Sequence, residues 1–427
     1  MEQSTEIKFA GDVSIDKVKV ISSKGFFQDI TAQVITVQYF EDIFSPFITG
    51  TLIVKDALDL LNLFPFVGEE FVELEISTPT LEDKSLKGTY YIYKMTDREI
   101  IGDREVIYQL HFISVEAIVD INKKMSKVYK GKVSDIVTGL LKDSLDGLET
   151  KKQFYVEETI NNTKFISNFW SPVKNIMMCA KQAVNKNNVP NYVFFENRDG
   201  FYFISLDALY GAGIMSEFIL DKYTRDDLPG GGSTRNIQED YKRIQELSIP
   251  VAFDYVDRIR SGMLSSRAHS FDATKKTYVA RNYNVFQKFD KQNHLNPNPL
   301  NSNSAIFKNN SAIVNIPRMY DSFSGWGDVT NFKTLQERVS QMQLATAHQI
   351  EIVVPGRTDY TVGQKVKITL NKMEPVSSDD IDITDKMFSG NYLISALNHV
   401  INREKHECTM ELIKDSLQAD VNKVGSK

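Results

Sequence analysis

The sequence of 427 residues has few of the residue types on which disulfide scaffolds and metal centres depend. It holds two cysteines, Cys179 and Cys408, which are too few for a disulfide framework and fit synthesis in a reducing compartment. Its six histidines are dispersed, and none forms the i, i+4 pair of a zinc-protease helix. These shortages argue against a disulfide-stapled domain and against a helix-borne zinc protease.

Strong charge and long apolar runs are also absent. A net charge of −6 over this length gives no basic surface for nucleic acid and no polybasic membrane patch. The most apolar stretch, residues 58–68, is too short to span a bilayer, and the N-terminus lacks the basic start and apolar core of a signal peptide. We therefore expect no membrane insertion and no export by a cleaved signal.

The usual signatures of catalysis are missing as well. Gly211 and Gly213 begin a dinucleotide-like pattern, but Ser216 stands where the third glycine belongs. Any two of the 56 acidic residues can form a glycosidase pair, and nothing singles one out. The sequence predicts no catalytic residue and no cofactor.

One group of residues has the chemistry of a metal site. His399, Glu404, His406 and Cys408 lie close along one predicted hairpin. Imidazole, carboxylate and thiolate are all ligands of transition metals. Ordinary strand and turn residues look the same in a sequence, and we expect that simpler explanation and no bound metal.

What the sequence does contain is a pattern that occurs twice. Residues 39–57 and 255–273 align without a gap, with these identities: Tyr39/Tyr255, Ile43/Ile259, Ser45/Ser261, Asp56/Asp272 and Ala57/Ala273. Residues 66–77 match 361–370, and residues 87–95 match 389–397, in a register that continues to Leu110/Leu412. The matched segments alternate apolar and polar side chains, which is typical of antiparallel strands. The order of the matches predicts two similar β modules, the second enlarged by insertions at 274–349 and 374–385.

Helical periodicity separates the two copies. One apolar face is formed by Val133, Ile136, Val137, Leu140, Leu141 and Leu145. A second helix begins with Ser171 as N-cap and Pro172 in its first turn, and a hairpin spans 192–205. Residues 228–236 are predicted to form a flexible connection. A late helix has a face formed by Phe332, Leu335, Val339, Met342 and either Ala345 or Thr346.

The predicted fold class is therefore α+β and mainly β, in three parts. Residues 1–114 form the first β module, residues 115–210 an α/β insert domain, and residues 211–427 the second β module with its insertion at 274–349.

This order of modules resembles the central baseplate hub protein of contractile-tailed bacteriophages and the N-terminal hub region of type VI secretion spike proteins. The most specific stretches are VPNYVFFENRDGFYFISLDALYG (189–211) and VPGRTDYTVGQKVKITL (354–370). The resemblance covers about residues 10–417. It implies that the two modules are tail-tube-like antiparallel β-barrels flanking the α/β insert domain.

The resemblance also implies a function. A homotrimer of such chains displays six similar modules, and so joins a hexameric tail tube to a trimeric central spike. The implied partners are the tail tube protein, the central spike protein and baseplate wedge proteins, with tape-measure protein and DNA passing through a channel of neutral to acidic wall. The implied location is the virion tail baseplate, after synthesis in the cytoplasm of the host bacterium.

Departures from the family pattern refine these expectations. No oligonucleotide-fold domain or β-helix needle follows residue 417, so the spike is expected to be a separate chain. The stretch 44–50 is apolar where 260–266 is more polar, which predicts unequal contacts with the tube. The candidate interface residues are Phe44, Pro46, Phe47, Ile48, Met263 and Leu264.

Two other functions stay open at the level of sequence. One is a tail-associated peptidoglycan hydrolase whose carboxylates the sequence does not reveal. The other is a distal tail component that anchors receptor-binding proteins.

Overall fold

The computed structural model describes residues 7–57, 59, 60, 64, 66–102, 105–220, 236–273, 276–301, 312–318, 333–371 and 384–420. In this part of the chain, strands dominate, and thirteen of them join one large sheet. The fold is mainly β with helices in the middle, as the sequence predicts. The predicted connection at 228–236 lies outside the described residues except for Asn236, and so does Phe332.

The first β module is an antiparallel sheet. Its strands follow the order β2-β1-β5-β6-β7-β4-β3. They are β1 (Ser14–Ile21), β2 (Phe27–Asp29), β3 (Val34–Asp42), β4 (Thr49–Asp56), β5 (Phe71–Ser77), β6 (Leu86–Gly102) and β7 (Glu105–Ser114).

Alternating side chains explain why these segments are strands with one packed face. In β5, Val72, Leu74 and Ile76 are buried in the module's core. Glu73 and Glu75 point the other way and form ion pairs at 2.8 and 2.7 Å with lysines of β1 and β6. A period of two thus places the apolar set on one face of the sheet.

The middle segment alternates short strands with helices around a core of its own. Its elements are α1 (Val115–Asn122), β8 (Val128–Lys132), α2 (Val133–Lys142), β9 (Phe154–Val156), β10 (Asn162–Ile166), α3 (Pro172–Gln182), β11 (Tyr192–Asn197), β12 (Gly200–Ser205) and α4 (Leu206–Tyr210). The helices α2 and α3 pack on the hairpin formed by β11 and β12.

Two local predictions for this segment meet different outcomes. The N-cap of α3 is confirmed, because Ser171 Oγ accepts a hydrogen bond from the Lys174 N–H at 3.4 Å. The placement of Leu145 on the buried face of α2 is wrong, since the helix ends at Lys142 and Leu145 is 84% exposed. Asp143 Oδ1 accepts from the Leu145 N–H at 2.8 Å, and this Asx turn leads the chain away from the helix axis.

The second β module and its insertion contain the remaining elements. They are β13 (Ile214–Leu220), α5 (Ile237–Asp240), β14 (Glu246–Val251), α6 (Val256–Arg260), β15 (Ser265–Asp272), β16 (Thr277–Asn284), β17 (Asn298–Pro299), β18 (Ala312–Arg318), α7 (Leu335–Ala345), β19 (Gln349–Pro355), β20 (Lys365–Leu370), β21 (Gly390–Asn402), β22 (His406–Ile413) and β23 (Ser416–Leu417). Of these, β14-β19-β22-β21-β20-β13 pair in that order.

This order repeats the order β3-β4-β7-β6-β5-β1 of the first module, and the register repeats with it. Gly88 of β6 lies opposite Leu74 of β5, and Gly390 of β21 lies opposite Ile368 of β20. Gly88 and Gly390 are therefore equivalent in register, as predicted, but both lie within strands rather than at the predicted turn positions. One difference is that β13 runs parallel to β20, whereas β1 runs antiparallel to β5.

Two of the predicted equivalences are wrong. Tyr39 lies in β3, whereas Tyr255 precedes the short helix α6, outside the large sheet. The pairing instead makes β14 the counterpart of β3, and β19 the counterpart of β4. The predicted match of Leu110 with Leu412 is also wrong, by two residues. Leu110 of β7 lies opposite Met95, and the residue of β22 that lies opposite Leu397 is Met410. A slip of two keeps each side chain on its predicted face.

The long insertion lies between β14 and β19, so it begins at 252 rather than at 274. It contains the sheet β16-β15-β18 and a small apolar core that includes Met263 and Leu264. The helix α7 buries a largely polar face rather than the predicted apolar one. Its Gln336 amide donates to the Ser266 carbonyl at 2.9 Å, and this bonding satisfies part of the buried face.

The two modules are joined edge to edge in one sheet. The first half of β21 pairs with β20, and its second half pairs with β3 of the first module. Neither module closes into a barrel through the strand pairs of the described residues. The predicted barrels are therefore two open sheets that share the junction β21–β3.

Gly50 provides a test of how tightly the first module is packed. A Cβ at this position would lie 2.2 Å from Phe112 Cζ and 2.4 Å from the Gln38 carbonyl oxygen. We expect Gly50→Ala to destabilise the chain by about 1–3 kcal/mol through overpacking. Thermal denaturation measures the change.

The matched control is Gly139→Ala within α2, where a Cβ meets nothing within 4 Å. This substitution is expected to raise stability by up to about 1 kcal/mol, because alanine favours a helix. Equal effects of the two variants would contradict the packing described for β4.

Candidate assembly interface

The junction between the modules is a seven-residue antiparallel ladder. It runs from Ala396 opposite Asp42 to Asn402 opposite Thr36. Ile401 and Val37 face each other in it, and both are fully buried in the core of the first module. The second module thus contributes a strand and an apolar side chain to the core of the first.

Glu41 lies in this ladder and connects three parts of the chain. Its Oε1 accepts a hydrogen bond from the Arg198 N–H at 2.6 Å, and its Oε2 accepts from the Val362 N–H at 3.0 Å. Arg198 belongs to the β11–β12 turn, and Val362 precedes β20 in the second module. Burial raises the pKa of Glu41 to about 7, although the hydrogen bonds from Val362 and Arg198 favour the carboxylate.

Side chains around Glu41 extend the connection. The Arg198 guanidinium donates to the Thr358 carbonyl at 2.5 Å. Thr78, which follows β5, exchanges hydrogen bonds with Thr358 at 3.0 and 3.3 Å. All of these groups lie far apart in sequence, so the first module, the β11–β12 turn and the second module are held together by polar contacts as well as by the shared sheet.

A second polar network fixes the middle segment to the first module. The Lys152 ammonium contacts the carboxylates of Glu196 and Glu116 at 2.5 and 2.8 Å. Glu196 also accepts hydrogen bonds from Ser114 Oγ at 2.5 Å and from the Ile48 N–H at 3.1 Å. Burial raises the pKa of Glu196 despite the nearby Lys152 charge. Breaking such a buried pair leaves an uncompensated charge.

The counterparts of the junction strands lie at two edges of the large sheet. Val37 of β3 lies opposite Leu52 of β4, and Leu247 of β14 lies opposite Ile352 of β19. Leu52 and Ile352 occupy equivalent places beside β7 and β22. Leu247 is therefore the counterpart of Val37. Among the described strands, β14 pairs only with β19.

The other edge belongs to the second half of β6. Ile401 of β21 lies opposite His406, and Ile100 of β6 lies opposite the equivalent Val106. Ile100 is thus the counterpart of Ile401. On the side of β6 away from β7, the described strands pair only with its first half, through β5. Ile100 is 78% exposed, whereas Ile401 is fully buried.

The six interface residues predicted from sequence occupy different environments. Met263 and Leu264 are buried in the core of the insertion, and Ile48 is buried in the first module. The Phe47 ring packs edge-to-face against Phe201. Phe44 is 38% exposed, and Pro46 beside it is half-buried. The other four residues pack in or against the chain's own cores. The interface prediction therefore stays open only for Phe44 and Pro46.

The hairpin β21–β22 brings together three of the four residues with metal-binding chemistry. His399, His406 and Cys408 have their ligating atoms within 4.8 Å of one another. All three side chains are fully buried, whereas Glu404 is exposed in the turn. Sequence reasoning found these residues through their spacing, but only the strand register shows that they share one face.

The described helices are all too short or too polar to cross a bilayer.

Known proteins resemble this chain in structure but not in sequence. No protein-family model matches the sequence, and no curated protein does. The tail protein from Neisseria meningitidis MC58 aligns with 10% identity and a TM-score of 0.55, over 95% of this chain and 97% of that one. The 43 kDa tail protein of prophage MuSo2 from Shewanella oneidensis aligns with 7% identity and a TM-score of 0.53, over 94% and 99%. The chain therefore has the fold of phage tail proteins, and the expected resemblance is confirmed at that level.

Glu41 gives the junction a dependence on pH that can be measured. Because burial raises its pKa from 4.5 to about 7, the folded chain retains a proton that the unfolded chain has lost. The stability contributed by this group is present below the unfolded pKa and is lost as the pH rises to about 7. Glu41→Gln removes this titration. We expect the unfolding free energy of the wild type, relative to the variant, to fall by up to about 3 kcal/mol across that range.

Urea denaturation at several pH values measures both chains. The control is Glu404→Gln, which changes an exposed carboxylate in the β21–β22 turn. Its stability is expected to follow the wild type at every pH. If the Glu41→Gln curve also runs parallel to the wild type, Glu41 does not titrate as described.

Proposed function

We propose that this protein is the structural hub of a contractile phage tail baseplate, a homotrimer that joins the hexameric tail tube to a trimeric central spike. The observation that carries the proposal is the repeated strand order joined at β21–β3. One chain presents two similar sheets side by side. Three chains present six, which matches a tube of sixfold symmetry above a spike of threefold symmetry.

The two sheet edges support a specific way of closing the ring. If each junction between chains repeats the junction within the chain, the second half of β6 pairs with β14 of the next subunit. Ile100 then lies opposite the partner subunit's Leu247, as Ile401 lies opposite Val37. The contact covers the exposed Ile100 side chain and the unpaired backbone of both edges, and free edges of this kind are ready templates for pairing.

Further contacts follow from the same arrangement. Phe44 and Pro46 lie in the loop between β3 and β4 and contact the tail tube or a neighbouring subunit in this arrangement. The central spike, a separate chain, binds the threefold side, and wedge proteins bind the periphery. Tape-measure protein and DNA pass through the central channel. The protein thus works in the virion tail baseplate, after synthesis in the host cytoplasm, and does not insert into membranes.

The proposed role is structural rather than enzymatic. Among the described residues, the carboxylates of Glu116 and Glu196 lie close enough together to resemble a hydrolase pair, and both contact Lys152. The Lys152 ammonium favours the ionised form of both carboxylates, whereas a general acid must be protonated. Incubation of the purified chain with bacterial cell walls is expected to release no peptidoglycan fragments. Release that disappears in Glu196→Gln would favour the hydrolase alternative, and binding to a receptor-binding fibre instead of a spike would favour the distal tail component.

Disulfide trapping tests the proposed ring. By the equivalences above, Glu99 of β6 lies opposite the partner's Ser248, as Val400 lies opposite Gln38. The double variant Glu99→Cys with Ser248→Cys is expected to form covalent trimers on mild oxidation within assembled tails, where neighbouring components support weak contacts. The native Cys179 and Cys408 are buried and should not interfere.

The control pairs Glu99→Cys with Glu246→Cys, which shifts the register by two residues, about 7 Å along the strand. It is expected to cross-link far less. Equal cross-linking of the two pairs would contradict the strand register. Covalent species containing six whole subunits, or a monomer at the side of the tail, would overturn the hub proposal itself.

A further inference from the structure

The hairpin β21–β22 carries a group of side chains that the proposed hub function does not use. His399 of β21 lies directly opposite Cys408 of β22, and His406 lies two residues before Cys408. Alternation along a strand places His406 and Cys408 on the same face, and cross-strand pairing places His399 beside them. Two imidazoles and one thiol therefore converge from two strands of the rigid central sheet.

The distances within this group resemble those of a tetrahedral metal site. His399 Nδ1 lies 2.9 Å from His406 Nε2, and Cys408 Sγ lies 3.2 Å from His399 Nδ1 and 3.5 Å from His406 Nε2. The bond lengths of zinc require about 3.3 Å between two nitrogens and about 3.6 Å between nitrogen and sulfur. Small side-chain movements of a few tenths of an ångström bring all three atoms to these distances.

Hydrogen bonding alone satisfies the group poorly. All three side chains are fully buried, and neither Nδ1 of His406 nor Nε2 of His399 has a hydrogen-bond partner among the described residues. The three inner atoms are mutual neighbours, but a neutral ring can donate from only one nitrogen. When a metal ion accepts the lone pairs of His399 Nδ1 and His406 Nε2, each neutral ring carries its proton on the outer nitrogen. A cation accepts a lone pair from all three atoms at once.

The surroundings are shaped around His406. A Cβ on Gly356 would lie 2.2 Å from the His406 ring, so the backbone after β19 passes directly against the imidazole. The backbone N–H of His406 donates to the Gly11 carbonyl at 2.9 Å, and the backbone carbonyl of His406 accepts from the Gly356 N–H at 2.8 Å. The ring of Tyr39 from the first module lies 6.0 Å from that of His399. The group thus lies where the N-terminal segment and both modules meet.

We propose that His399, His406 and Cys408 supply three of the four ligands of a tetrahedral binding site for a borderline-soft divalent metal ion such as zinc. The mixed nitrogen and sulfur ligands favour zinc over magnesium or calcium. On binding, the Cys408 S–H bond breaks, the thiolate bonds to the metal, and one proton passes to solvent. This proposal does not depend on the hub function and opposes our expectation from sequence.

Cobalt substitution of the purified full-length chain tests the site. Cobalt(II) occupies zinc sites and reports a bound thiolate by a charge-transfer band in the near ultraviolet, and tetrahedral geometry by intense visible bands. We expect one cobalt per chain with both signatures, and displacement of the cobalt by one equivalent of zinc. We also expect a chelator to lower the melting temperature of the zinc-loaded chain by several degrees, since the metal binds only the folded state.

Two serine variants separate the site from the other cysteine. Cys408→Ser is expected to abolish the thiolate band, whereas Cys179→Ser, in the core of the middle segment, is expected to leave it unchanged. Should Cys408→Ser fail to fold, the titration of the wild type still decides. A wild-type chain that shows no thiolate band with cobalt and no change of melting temperature with zinc or chelator would overturn the proposal and establish a purely hydrogen-bonded group.

Discussion

The pairing of β21 with β3 is the contact on which the rest of the structure depends. It makes one sheet of two modules, and it places Ile401 of the second module in the core of the first. An unpaired strand at this position would expose backbone groups that must otherwise find water or another chain. The relative position of the two modules is therefore set by backbone hydrogen bonds with a defined register, and not by a flexible linker.

Polar contacts make that arrangement specific. Glu41 joins the ladder to Arg198 and Val362, which are 157 and 321 residues away in sequence. A buried carboxylate needs both donors, because its desolvation is otherwise unfavourable. Any shift of the β11–β12 turn or of the second module would leave it unsatisfied. The middle segment is thereby fixed to the junction itself, and this is why an α/β unit between two similar sheets does not separate them.

The sequence predicted those parts of the fold whose signals are local. The alternation of β5 and β20, with Gly88 and Gly390 opposite Leu74 and Ile368, was enough to find the repeat. The match of Tyr39 with Tyr255 failed because local composition does not encode strand pairing, and an insertion had separated β14 from β19. Glu41 gave no signal at all, since its partners come close only in the folded chain. The histidines and Cys408 were visible by spacing, but their shared face depends on the register of β21 and β22.

The free edges that pair between subunits in the proposed ring differ in chemistry from the junction within the chain. Within the chain, β21 meets β3 through buried Ile401 and Val37, beside the buried His399 and His406. At the free edges, Ile100 and Leu247 keep apolar character, but Asp97 and Glu99 near Ile100 are charged and exposed. A permanent junction tolerates buried apolar and histidine side chains, because the chain never leaves it. An edge that must stay soluble before assembly needs charge against wrong partners. In the proposed ring, the repeat therefore supplies one geometry with two chemistries, one for folding and one for association.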